Sequence, residues 1–197
     1  MELPSPLRQA VDRLLDGTPL ATLQQAAKKL SDRYRAELRD GRLHMAEELA
    51  VKAYLAARMP ATYAAARASL DASFEARPDF SPRTLLDIGA GPGTVLWAAA
   101  DLWPNLEQAT LLEASGPARK TGEHLASEGG LTVHTTWLTG DATIELGDLP
   151  AADLVSVAYV LDEIAPASRP KLIGRLWDIT ADTLIVVEPG TPAGWQR

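Results

Sequence analysis

Cysteine is absent from the 197 residues of this chain. That excludes disulfides, thiolate metal sites, cysteine-ligated iron–sulfur clusters and thiol nucleophiles within it. No run reaches the ~18 consecutive apolar residues that a membrane span needs. The opening MELPSPLRQAVDRLL threads charges through its apolar positions, unlike a secretory leader, so a cytoplasmic protein without a membrane partner is expected. Three histidines, His44, His124 and His134, fit no HExxH pattern and read as ordinary helix or strand residues; no metal site is expected. Aromatic residues make up only 6%, which leaves little material for stacking nucleic-acid bases. What is present, 46% apolar and 23% charged residues, is a composition that buries a core. The length suits one domain of ordinary size with a small appendage rather than two full domains.

The net charge of −7 is unevenly spread. Residues 1–80 hold 12 Lys/Arg against 11 Asp/Glu, a net +1, and residues 81–197 hold 7 against 15, a net −8. The two parts also differ in pattern. In the first, Leu7, Val11, Leu14 and Leu15 follow a helical period that stops at Gly17, and Thr18-Pro19 then reads as a cap followed by an N-terminal proline. Further helices are predicted over about Pro19–Leu38, His44–Arg58 and from Pro60 to just before Arg77-Pro78, in an alanine-dense stretch that favours helix and close packing. Residues 1–80 are therefore expected to form a helical region and 81–197 a separate α/β unit.

In that second part the period changes. Thr84–Ile88 reads as a short buried strand, followed by a glycine-rich loop and a helix over Thr94–Leu102. Further strands are predicted at Ala109–Leu112, Leu131–Leu138, Asp153–Val160 and Thr183–Val187, with helices over about Ser115–Ser127 and Ala167–Thr180 between them. Strand and helix alternate. This predicts an α/β fold: a doubly wound, mostly parallel, Rossmann-like sheet with helices on both faces, preceded by a helical subdomain.

The loop in LLDIGAGPGT carries the chemistry. Glycines let backbone approach a ligand closely, and the following helix offers unpaired N–H groups at its start. The glycines fall at Gly89, Gly91 and Gly93 with Asp87 two residues ahead, a spacing that disfavours the dinucleotide pattern G-x-G-x-x-G. The lysine and hydroxyl of a phosphate-binding P-loop are missing as well. A ligand-free glycine turn is the alternative, but an aspartate buried at a strand end costs free energy unless something pairs with it.

The segment Asp87-Ile88-Gly89-Ala90-Gly91-Pro92-Gly93 resembles the first motif of the class I S-adenosylmethionine-dependent methyltransferases. That resemblance implies S-adenosylmethionine as cofactor, S-adenosylhomocysteine as product, and a cofactor site formed by Asp87, Gly89, Ala90, Gly91, Pro92, Gly93, Glu113, Asp141 and Tyr159. Glu113, closing the second strand, stands where the family's acid accepts from the ribose hydroxyls, with an acidic helix cap as the alternative. Asp141 stands where the family places a group near the adenine amine, with a plain turn aspartate as the alternative. The fourth strand runs into Tyr159-Val160-Leu161-Asp162-Glu163, where the family's methyl acceptor lies.

The flanks narrow the resemblance. YLAARMPATYAA, LLDIGAGPGTVLWAA, SVAYVLDEI and VVEPGTPAGW together look like the methyltransferase-like family of mitochondrial and bacterial small-ribosomal-subunit assembly factors, described as ribosomal RNA methyltransferases. This implies a partner in ribosomal RNA or the small ribosomal subunit. Family members continue through further strands to a cysteine-bearing segment proposed to hold an iron–sulfur cluster, whereas this sequence ends at Arg197. A C-terminally shortened chain, with the fifth strand left as an open edge, is the expectation.

Methyl transfer from a sulfonium is an in-line displacement that positioning and desolvation can drive, with a base needed only for a protonated acceptor. The sequence has no Asn/Asp-Pro-Pro-Tyr/Phe tetrapeptide after the fourth strand. Asp162 and Glu163 are the weak catalytic candidates, with helix capping as their alternative. RNA contact falls to Lys28, Lys29, Arg33, Arg35, Arg39 and Arg42, which meet only Asp32, Glu37 and Asp40 in the same stretch; a solvated helix face explains the same pattern. Three functions stay open: a ribosomal RNA methyltransferase, an assembly factor that keeps the pocket without turnover, and a small-molecule methyltransferase with a helical lid.

Overall fold

The computed structural model describes residues 1–35, 43–141 and 149–196. Four helices come first: α1 (Ser5–Leu15), α2 (Leu20–Arg35), α3 (Glu48–Ala57) and α4 (Met59–Ala76). Strands and helices then alternate as β1 (Thr84–Ile88), α5 (Thr94–Leu102), β2 (Gln108–Glu113), α6 (Gly116–Glu128), β3 (His134–Thr139), β4 (Ala152–Ala158), α7 (Arg169–Asp178), β5 (Thr180–Val187) and the short α8 (Pro192–Trp195). The five strands form one all-parallel sheet in the order β3-β2-β1-β4-β5. None of the described helices is long and apolar enough to cross a membrane.

β1 lies at the centre and is buried on both faces, as a parallel strand covered by helices must be. On one face Leu85 joins Leu96 and Trp97 of α5, Leu111 of β2 and Leu125 of α6. The same cluster takes in Leu7 and Val11 of α1, Leu30 of α2, Leu55 of α3 and Tyr63 and Leu70 of α4. The N-terminal helices thus share one core with the sheet's helical cover. On the other face Leu86 and Ile88 meet Leu112, Val155 and Val157 beneath Leu172 and Leu176 of α7.

Several boundaries differ from the sequence expectation, each for a local reason. Residues 44–47 are a turn rather than the start of a helix, because the Met45 carbonyl accepts from the Ser115 hydroxyl at 2.6 Å instead of serving a helical ladder. His44 is therefore neither a helix nor a strand residue. β4 stops at Ala158 because Tyr159 takes φ 59°, which turns the chain out of the sheet. α7 begins at Arg169 after a 3-10 turn over Pro166–Ser168, since Pro170 has no N–H to donate and belongs in a first turn. β5 begins at Thr180, three residues earlier than expected, with a register irregularity between Ala152 and Leu154 of its neighbour.

Packing of α6 on β3 depends on one bare backbone position. A Cβ built at Gly122 would lie 2.2 Å from Cη2 of Trp137, so the indole occupies the room that glycine leaves. Gly122→Ala should lower stability by about 1–3 kcal/mol in urea unfolding, the usual cost of overpacking. Trp137→Leu in the same chain should recover part of that loss.

Candidate ligand-binding site at the carboxyl edge of the sheet

Parallel strands place their carboxyl ends on one edge, and the loops leaving β1, β2 and β4 converge there on a cavity of about 960 Å³. Pockets of ~300–1,000 Å³ take small-molecule ligands, so this one has room for a nucleoside conjugate and part of a second reactant.

The loop after β1 is folded by its glycines. Gly89, Gly91 and Gly93 have φ values of 66°, 55° and 83°, in the left-handed region that a β-carbon disfavours. A Cβ on Gly89 would also strike Val160 at 2.4 Å, whereas one on Gly91 would enter the cavity beside the Met45 methyl. The loop's N–H groups are spent within the protein. Those of Gly89 and Ala90 both donate to the Leu112 carbonyl, at 2.8 and 3.1 Å, and that of Gly91 donates to Glu113 Oε2 at 2.7 Å. The loop therefore supplies space and shape more than an anion nest, which suits a ligand without phosphate.

Asp87, at the end of β1, is 1% exposed. Its Oδ1 accepts from the Ser156 hydroxyl of β4 at 2.7 Å, and its Oδ2 is buried with no hydrogen-bond partner. Burial pushes its carboxyl up to about 7 despite the Ser156 bond, and the Glu113 charge adds to the rise. Glu113 closes β2. Its Oε1 accepts from the Ser115 N–H at 2.6 Å, and burial raises its pKa against these backbone donors. The helix cap of α6 is Ser115, whose hydroxyl accepts from the Ala118 N–H, so Glu113 is not that cap.

Of the residues singled out from the sequence, Asp87, Gly89, Ala90, Gly91, Glu113, Asp141, Tyr159, Asp162 and Glu163 all line the cavity. Pro92 and Gly93 do not; they carry the chain into α5, with Gly93 at its N-cap. Asp162 and Glu163 sit in a turn and cap neither the 3-10 turn nor α7. Lys28, Lys29 and Arg35 are exposed on α2 and Arg33 is half-buried there; Arg39 and Arg42 lie outside the described residues.

The residues that sequence reasoning missed come from the N-terminal part. His44 is buried, its ring 4.4 Å from that of Tyr34, with Nε2 3.7 Å from Glu163 Oε1. The Arg58 guanidinium lies over the Tyr34 ring at 4.4 Å, and Tyr54 shares a 3.0 Å hydrogen bond with Thr94 at the start of α5. Tyr54 and Arg58 fall inside the quoted YLAARMP run, so a signal existed for them. None existed for His44 or Tyr34.

Asp87 gives a pH signature. Its carboxyl is protonated more readily in the folded chain than in the unfolded one, where its pKa is near the ordinary aspartate value of 3.8. Between about pH 4 and about pH 7 the folded state thus binds the extra proton, and stability falls as pH rises. Urea unfolding across that range should show the wild type losing stability relative to Asp87→Asn, by up to ~1.4 kcal/mol per pH unit.

The human mitochondrial ribosome assembly protein METTL17 is 31% identical to this chain over 148 residues, 72% of this chain and 32% of that protein. The chain thus spans about a third of the length of that relative. Among solved structures, an O-methyltransferase family protein from Burkholderia thailandensis superposes with a TM-score of 0.63 at 17% identity, over 87% of this chain and 55% of that one. The plantazolicin methyltransferase BpumL, in complex with S-adenosylhomocysteine, gives 0.59 at 13% identity over 82% and 61% of the two chains. The mitomycin 7-O-methyltransferase MmcR gives 0.58 at 20% identity over 98% and 59%. These likenesses establish a Rossmann-like methyltransferase fold. The model of the mitochondrial small ribosomal subunit Rsm22 family matches residues 48–197, from the start of α3 onward, and this chain belongs to that family.

Proposed function

We propose that this chain binds S-adenosylmethionine at the carboxyl ends of β1 and β2 and belongs to a protein that methylates RNA of the small ribosomal subunit. The observation that carries the cofactor assignment is Asp87. Its Oδ2 is buried without a partner beside a glycine cradle, so the cavity lacks a donor that a ligand's ammonium or a bridging water supplies. Glu113 accepts a backbone N–H on each oxygen, from Gly91 and from Ser115, and a carboxylate has further lone pairs for ribose hydroxyls. Asp141 and Tyr159 line the same cavity and complete the set of residues that would hold the cofactor. When bound, the cofactor supplies an electrophilic methyl group. The chain's own part is to orient, to exclude water and, for an N–H or O–H acceptor, to take up a proton on Asp162 or, once burial's hold on its proton is overcome above about pH 8, on Glu163. Family membership supports the ribosomal partner, and the exposed Lys28, Lys29 and Arg35 offer phosphate contacts.

A second reading, an assembly factor that keeps the pocket without turnover, is favoured by one observation. The segment leaving β4, Tyr159-Val160-Leu161-Asp162, is no acceptor tetrapeptide of the base-amino methyltransferases. The human relative is named an assembly protein. Tritiated-methyl transfer from S-adenosylmethionine onto small-subunit particles separates the two: label in the RNA supports turnover, and its absence from a cofactor-loaded protein supports assembly alone.

Calorimetric titration tests the pocket. Glu113→Ala should weaken binding of S-adenosylmethionine and S-adenosylhomocysteine by about 1–3 kcal/mol, because ribose hydroxyls lose their acceptor. Gly91→Val should abolish binding while the far-ultraviolet circular dichroism persists, since its side chain fills the cavity next to Met45. Unchanged affinity in Glu113→Ala would overturn the assignment.

A further inference from the structure

Of the three histidines, His124 on α6 and His134 on β3 are exposed, whereas His44 keeps only 4% of its side chain exposed. The turn that carries it is pinned by the Ser115 hydroxyl on the Met45 carbonyl, and its ring packs on that of Tyr34. A leucine would fill the same space without desolvating two ring nitrogens, so packing alone does not account for an imidazole there. Its placement does. Nε2 lies 3.7 Å from Glu163 Oε1, within ion-pair reach and ~0.5–1 Å longer than a hydrogen bond.

Glu163 is the accessible half of this contact. Its side chain lines the cavity with 36% of its surface exposed, so a small rotation can close the gap, as long acid–base contacts do when a site fills. It is faced by Asp162 in its own turn, Glu113 at the end of β2, Asp141 after β3, and Tyr34 and Arg33 of α2. Burial and the three neighbouring carboxylates push its carboxyl up to about 8, with Arg33 opposing. At neutral pH the contact therefore holds a proton. A carboxyl and an imidazole this close titrate as a pair, and that proton belongs to the pair rather than to either partner.

Resting on the reading that this cavity is a site of methyl transfer, we propose that His44 is a positioning residue for Glu163: its imidazole is the second seat for the shared proton, and a proton placed there leaves Glu163 facing the cavity as a carboxylate at neutral pH. The imidazolium is stabilised by the carboxylate it faces and by a wall in which five carboxylates meet one described arginine, Arg58. With Nδ1 buried and Nε2 turned toward Glu163, the ring acts through that residue. As an acceptor N–H or O–H forms its bond to the methyl carbon, the carbon–sulfur electron pair stays on sulfur and the acceptor's proton passes to the Glu163 carboxylate. The pair then holds two protons and releases one to water past the exposed side of Glu163. Above about pH 8 Glu163 is charged unaided, so the contribution of His44 is confined to lower pH.

Nuclear magnetic resonance of the 197-residue chain with ring-labelled histidine tests the pairing without any ligand, and the exposed His124 and His134 serve as internal references. The His44 midpoint should fall by about one pH unit or more in Glu163→Gln, the usual effect of removing an opposite charge at this range, while the references stay in place. Methyl transfer onto small-subunit particles then tests the role. In His44→Gln and His44→Asn, which lack the second seat, the rising limb of the pH profile should move up to about pH 8, with donor affinity unchanged by calorimetry. Circular dichroism establishes that each variant is folded, and two substitutions guard against the loss of one. A His44 midpoint indifferent to Glu163→Gln overturns the pairing, whether or not the donor binds. A shifted midpoint with an unmoved pH profile overturns the positioning role. Absence of label from the wild type, with the midpoint shift present, overturns turnover alone and leaves the proton-sharing pair standing.

Discussion

The seam between β1 and β2 governs this molecule. The carbonyl of Leu112 takes two N–H groups from the glycine loop, and Glu113, the next residue, takes a third. Three donors that would otherwise face solvent or a ligand are satisfied by the end of the neighbouring strand. The loop is thereby closed against β2 before any ligand arrives, Asp87 is held beneath it, and the chain is delivered into α5 through Gly93. A cavity follows because glycine leaves room, and its acidity follows because the two carboxylates that define the seam are both buried there.

The N-terminal helices act on this edge as a fourth wall. Tyr63 and Arg67 of α4 both reach Asp101 at the end of α5, at 3.1 and 2.5 Å, and Tyr54 of α3 reaches Thr94 at its start. α5 is therefore held at both ends by side chains from outside the sheet. Ser115 does the same for α6, donating to Met45 while its oxygen caps the helix. The net +1 of residues 1–80 and net −8 of 81–197 meet at the cavity, where Arg58 lines the wall, the Arg33 charge acts on Glu163, and five carboxylates are the acidic side's contribution.

Much of this was legible in the sequence, and the reasons are local. The alternation of strand and helix rests on hydrophobic period, and β1 and α5 have the bounds their composition indicated, because a buried apolar strand and an apolar helix that starts right after a glycine turn leave little choice. The glycine motif is contiguous, so its geometry could be expected from spacing. The turn at His44 could not. Its conformation is set by Ser115, seventy positions away, and its burial by Tyr34 and Glu163, none of which share a pattern with it. The fate of the loop's N–H groups was also hidden, since the carbonyl that takes two of them is one that only strand register brings within reach.

Tyr159 carries a consequence for which residues this position tolerates. Among the described residues it is the one non-glycine with positive φ, and its N–H donates to the Val187 carbonyl at 2.8 Å at the point where the chain leaves the sheet. The left-handed conformation costs a β-carbon roughly 1–2 kcal/mol, which glycine avoids and asparagine partly recovers through local hydrogen bonds. Backbone economy alone would put one of those two here. A tyrosine in their place means that the ring, set against the cavity, outweighs the conformational penalty, while valine or isoleucine would meet the same penalty with stiffer side chains and nothing to offset it.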